Sequence, residues 1–62
     1  MIQFELRRLR KLHGLSLNNL ARSVGKSGPW LSRVERGDID PSIADIITML
    51  SYMGYKLSIS IV

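Results

Sequence analysis

The sequence contains no cysteine and a single histidine, His13, so neither disulfides nor a cysteine-histidine zinc site can hold it together. Paired carboxylates at catalytic spacing and a glycine-rich phosphate loop are missing too. Nothing therefore points to an enzyme, a metal or any other cofactor. No apolar run approaches the roughly 18 residues of a membrane span, and no stretch reads as a signal peptide. A soluble cytoplasmic protein with no membrane partner is expected; the missing cysteine is compatible with a reducing compartment. With 62 residues the chain allows one domain, residues 1–62. A chain of this size buries only about 60% of the surface its unfolded form exposes, so helix packing or a second subunit must make up the difference.

What is present begins with charge. Arg7, Arg8, Arg10, Lys11, Arg22, Lys26, Arg33 and Arg36 outweigh Glu5 and Glu35 up to position 36, a balance of +6. From Gly37 onward Lys56 faces Asp38, Asp40 and Asp45, a balance of −2. The positive half suits a polyanion such as the phosphate backbone of DNA.

That half also carries the clearest pattern. Ser16 precedes Leu17, Leu20, Ala21 and Val24 at helical spacing, and Gly25 follows, predicting a capped helix with a glycine stop. After Lys26, Ser27 is a second cap candidate. Pro29 falls in the first turn, where its missing N–H is harmless, and Leu31 and Val34 form one apolar stripe as far as Gly37. Two short helices joined by a tight turn result. Ahead of them, Ile2 to His13 reads as a helix with Ile2, Leu6, Leu9 and His13 on one face, Leu12 beside it, and Arg7, Arg8 and Lys11 outward. His13 fits a partner of the helix C-terminal dipole better than a ligand. Beyond the pair, Pro41 and Ser42 end a turn, and Ser42 to Met53 reads as a helix with a core stripe of Ile43, Ile46, Ile47, Leu50 and Met53. From Tyr55 the period changes to two, with Tyr55, Leu57, Ile59 and Ile61 alternating against Lys56, Ser58 and Ser60, which predicts a strand over 55–62.

The run from Gly14 to Ser42, G-L-S-x-x-x-L-A-x-x-x-G-x-S-x-x-x-L-S-R-V-E-R-G-x-x-x-P-S, resembles the helix-turn-helix domain of the Cro/Xre family of phage and bacterial repressors. The resemblance covers roughly Leu6 to Gly54. It implies a mostly α fold, a four-helix (lambda-repressor-like) domain, here with one C-terminal β-strand pairing across a dimer. It also implies a sequence-specific repressor of double-stranded operator DNA, acting as a homodimer and controlling its own operon. Arg10 and Glu35 match positions that form a partly buried ion pair in this family. The stretch from Trp30 to Gly37, followed by Leu50 to Leu57 and a terminal strand, further resembles antitoxins of HipA-type kinase toxins, which adds such a toxin as a second partner.

With Leu31 and Val34 facing inward, about 100° per residue turns Pro29, Ser32, Arg33 and Arg36 toward the major groove. In the family the first turn of this helix reads bases, and the matching positions are Gly28, Pro29 and Arg33. Arg33 can form two bonds to a guanine edge and is the best single reader. Trp30 falls at the border: its indole N–H can reach a phosphate, its edge can touch a thymine methyl, and a place in the core rim explains it equally well. Gly28 permits close backbone approach, and Ser27 with the free N–H groups of this helix start can hold a phosphate, with Lys26 adding charge. Arg8 is a further phosphate contact, and Arg7 and Lys11 are weaker ones. Leu17 departs from the family, which commonly has glutamine there; Asn18 is the substitute. Because Gly28 and Pro29 offer no side-chain donors, a protein-interaction module that no longer reads DNA is the alternative function.

A lone strand must find a partner outside its own chain. Two copies meeting antiparallel through Leu57, Ile59 and Ile61 would set the recognition helices about 34–36 Å apart, one turn of DNA.

Overall fold

A computed structural model describes residues 2–56, with side chains from Phe4 onward. Four helices follow one another: α1 (Ile2–Leu12), α2 (Leu17–Arg22), α3 (Gly28–Glu35) and α4 (Ile43–Tyr52). Among the described residues there is no strand, and no helix is long and apolar enough to cross a membrane.

The helix starts follow from three serines. Ser16, Ser27 and Ser42 hold extended backbone, and each hydroxyl oxygen accepts from the amide N–H three residues on, at Asn19 (3.1 Å), Trp30 (3.3 Å) and Asp45 (3.0 Å). Each cap satisfies one of the N–H groups a helix start leaves unpaired, a contribution of about 1 kcal/mol apiece. The helix ends share one device as well. After α2 the Gly25 N–H donates to Arg22 O and the Lys26 N–H to Ala21 O, both at 3.0 Å. This paired closure needs a left-handed residue, and Gly25 supplies it with φ of 69°. The same two-bond pattern closes α1 at Gly14, α3 at Gly37 and α4 at Gly54.

The core is small. Leu6 of α1, Leu20 and Ala21 of α2, Leu31 and Val34 of α3, and Met49 and Met53 of the α4 end are buried, rimmed by Leu9, Leu15, Leu17, Val24, Trp30, Ile39 and Leu50. Ala21 is fully buried. α2 packs on α3 and α4, and α1 packs on α3. Each fully buried leucine contributes about 1.5–3 kcal/mol relative to exposure.

Three expectations change. The α4 stripe is rotated: Met49 and Met53 form the buried line, while Ile46, Ile47 and Leu50 are half-buried and Ile43 is 73% exposed. On a helix Ile43 lies roughly 100° round from the Met49–Met53 line, and α2 is too narrow a partner to cover both. On α1 Leu12 is 70% exposed and His13 is exposed rather than facing the core. The His13 ring Nε2 lies 3.0 Å from the Tyr55 hydroxyl, with the rings edge to face at 5.5 Å.

The third change concerns the strand. Tyr55 does not begin it, because its N–H closes the α4 cap on Leu50 O at 3.0 Å, and Lys56 after it is irregular. The remaining strand residues, Leu57, Ile59 and Ile61 among them, lie outside the described residues.

Candidate nucleic-acid interface

Two helix starts meet at one open cleft of about 540 Å³. The α2 start contributes Ser16, Leu17 and Asn18, and α3 contributes Gly28, Pro29, Ser32 and Arg33, with Arg36 just after it. The sequence dictates this meeting. Ala21 and Leu31 are buried without residue, which draws the two helices together, and Gly25 turns the chain sharply enough to bring α3 back across α2. The predicted outward face of α3 therefore lines the cleft, and Asn18 joins it from the other helix.

Gly28 has a different task from the one expected. It is buried, and a methyl group built on it would fall on the Asn18 side-chain carbonyl. Its missing side chain admits the Asn18 side chain, which packs the α2 start against the α3 start. The anion cradle at this helix start is also thin. Pro29 has no N–H and the Trp30 N–H is taken by Ser27 Oγ, so an anion there meets few backbone donors.

Charge surrounds the cleft. Arg33 is exposed on its wall. Arg36 pairs loosely with Asp38 at 3.6 Å, both side chains more than half exposed, a contact of little energetic weight. Lys26 holds its ammonium 5.8 Å above the Trp30 ring, and Trp30 is half-buried against the core. Of the roles open to Trp30, the core rim is the one the geometry displays.

Arg8 stands apart on α1. Its guanidinium donates to the Glu5 carboxylate at 2.6 and 3.2 Å. The hydrogen bond and then the charge of Arg8 hold the Glu5 carboxyl below its ordinary value, and Glu5 raises Arg8 in return. Both side chains are more than half exposed, so the pair carries little energy and Arg8 remains at the surface.

Behind the cleft lies the buried pair. Arg10 Nε and Nη2 donate to the two carboxylate oxygens of Glu35 at 2.7 and 3.0 Å, and Nη1 donates to Leu15 O at 3.0 Å. The end of α3, which carries Arg33 and Arg36, is thus fastened to α1 and to the loop leading into α2. Among the described residues no buried side-chain polar atom lacks a partner, and no group of acidic and histidine side chains could hold a metal ion.

Sequence reasoning passed over Ser16 and Leu17 as parts of the cleft, treating one as a cap and the other as a lost contact. Both occupy the α2 start, and the crossing of α2 and α3 is what makes that start face the same space as Pro29. A family model described as a helix-turn-helix domain matches residues 4–56. No curated protein and no solved structure matches the chain.

Proposed function

The chain belongs to the helix-turn-helix domain family, and from that premise we propose that it is a sequence-specific repressor that binds operator DNA as a homodimer and controls its own operon. The observation that carries the reading is the cleft between α2 and α3, which Arg33, Arg36 and Ser32 line from the outward side of α3 and its end and Asn18 lines from α2. Arg33 reads a guanine edge in the major groove. Lys26 and Arg36 neutralise phosphates and hold the register. The buried Arg10–Glu35 pair fixes the helix that does the reading.

Dimerisation supplies the second half-site. Leu57, Ile59 and Ile61 alternate along the sequence as one apolar face, and two copies pairing antiparallel would link the two domains. Ile43 at the start of α4, 73% exposed in the single chain, is apolar surface available to such a partner. The resemblance to antitoxins of HipA-type kinases adds a toxin as a further partner, for which a kinase-like gene in the same operon is the discriminating observation.

A gel shift of the full chain on the DNA upstream of its own gene, run at several salt concentrations, tests the reading. Specific retardation whose logarithmic affinity falls linearly with logarithmic salt supports it. Equal affinity for all sequences, or none for any, refutes it.

A further inference from the structure

The cleft that carries Arg33 and Arg36 is not lined by polar groups alone. Leu17, at the first position of α2, and Pro29, at the second position of α3, both line it, and they come from different helices. Leu17 is half-buried: it packs on the core rim and also lines the cleft. Pro29 is exposed. Gly28, next to Pro29, has no side chain, and the Asn18 side chain takes the space a Cβ there would need, so the two helix starts approach closely.

A surface that met phosphates only would gain nothing from leucine and proline carbons lining the same cleft as two guanidinium groups. The edge of a base pair in the major groove offers acceptors, donors and one apolar group, the 5-methyl of thymine. The two arginines suit the negative potential of the duplex, and the leucine and proline carbons suit that methyl. We propose that the cleft is a thymine-methyl pocket: Leu17 and Pro29 receive the methyl of a thymine neighbouring the base pair that Arg33 contacts.

This assignment rests on the DNA-binding reading above and goes beyond it by naming a second base and the group recognised. It also gives Leu17 a role. The position loses a polar contact to the DNA backbone and gains recognition of a base. Burying one methyl is worth about fourfold in affinity, and about fifteenfold when both half-sites carry it.

The test uses the full chain and a duplex selected from a randomised DNA library. Each thymine of the selected duplex is replaced singly by deoxyuridine, which removes the methyl and keeps the pairing. The expected result is one position per half-site where the replacement weakens binding about fourfold. Pro29→Ser, a change at an exposed position that leaves the core untouched, should bind the thymine and uridine duplexes alike. Leu17→Gln should do the same, with its folding checked by circular dichroism. If the selected duplex binds tightly and no uridine replacement changes its affinity, the methyl pocket is wrong while DNA binding stands. If wild type discriminates and Pro29→Ser discriminates equally, the pocket is elsewhere and the assignment falls. If the library yields no enriched duplex, the DNA-binding reading fails and the pocket with it.

Discussion

Arg10 and Glu35 stand 25 residues apart in the chain and meet as a two-pronged pair, 2.7 and 3.0 Å, with only 11% and 6% of their side chains exposed. Burial decides what the pair is worth. Removing one partner strands a charge out of water, which costs about 3–5 kcal/mol, whereas an exposed pair contributes about 1 kcal/mol at most. Glu35→Ala should therefore lower Tm far more than Asp38→Ala, whose partner Arg36 lies 3.6 Å away at the surface. For a domain of this size each kcal/mol moves Tm by roughly 4–8 °C, so thermal melts resolve the two easily. Equal shifts would show that the buried geometry has no special weight.

Gly28 and Asn18 should behave as a coupled pair. Gly28→Ala places a methyl on the Asn18 side chain and forces it aside. In a background of Asn18→Ala the same change meets an emptied space, and the helix preference for alanine, about 0.5–1 kcal/mol, then acts without opposition. Denaturant melts of the four variants should show non-additivity of about 0.5 kcal/mol or more. Strict additivity would mean that the two residues do not touch.

Base reading and phosphate holding separate by their salt and sequence dependence. Arg33→Ala should relax preference at one position of a half-site, at a discrimination of about 1–3 kcal/mol. Lys26→Ala should weaken all sequences alike and reduce the salt slope by about 1. Affinities for a panel of operator variants at several salt concentrations distinguish the two. An unchanged rank order in Arg33→Ala would remove its reading role.

Glu5 and Arg8 yield a prediction in pH. The folded-state value of Glu5 is lowered by its hydrogen bond to Arg8, so the pair's stabilisation is present above the unfolded value and is lost as pH falls through the folded one. Glu5→Gln should lower Tm slightly at neutral pH, where the pair is formed, and meet the wild type in acid below the ordinary carboxylate pKa of about 4.3, so that its profile is flatter there. The same variant releases Arg8. If Arg8 touches a phosphate, Glu5→Gln binds DNA more tightly at neutral pH and with a steeper salt dependence.

Deleting residues 58–62 should yield a monomer with much weaker operator binding. Light scattering reads the state directly. A persistent dimer would move the interface to α4, whose Ile43 is exposed.

The parts of the fold that could be read in advance are those decided within a few residues. Ser16, Ser27 and Ser42 cap helices because a hydroxyl three residues before an amide reaches it without help from the rest of the chain, and Gly25 turns for an equally local reason. The face of α4 could not be read that way. Ile43 and Met49 are both apolar at helical spacing, and only the position of α2 decides that Met49 goes inward. The cleft was half legible. Pro29, Ser32, Arg33 and Arg36 follow from the α3 periodicity, but the contact of Asn18 with Gly28 and the arrival of Leu17 beside Pro29 depend on how two helices cross. Trp30 stayed open between two roles because its border position satisfies both, and its ring is half-buried on the core rim with Lys26 above it.

The serine at the start of α2, α3 and α4 and the glycine after every helix have a kinetic consequence. Elements whose ends are settled locally need few distant segments to find one another before they become stable, and helical domains built in this way fold in microseconds to milliseconds. An opened chain of this kind recloses quickly, so its cleavage by proteases follows the equilibrium population of the open form. Any ligand that binds only the closed form then withdraws the chain from the population that proteases cut.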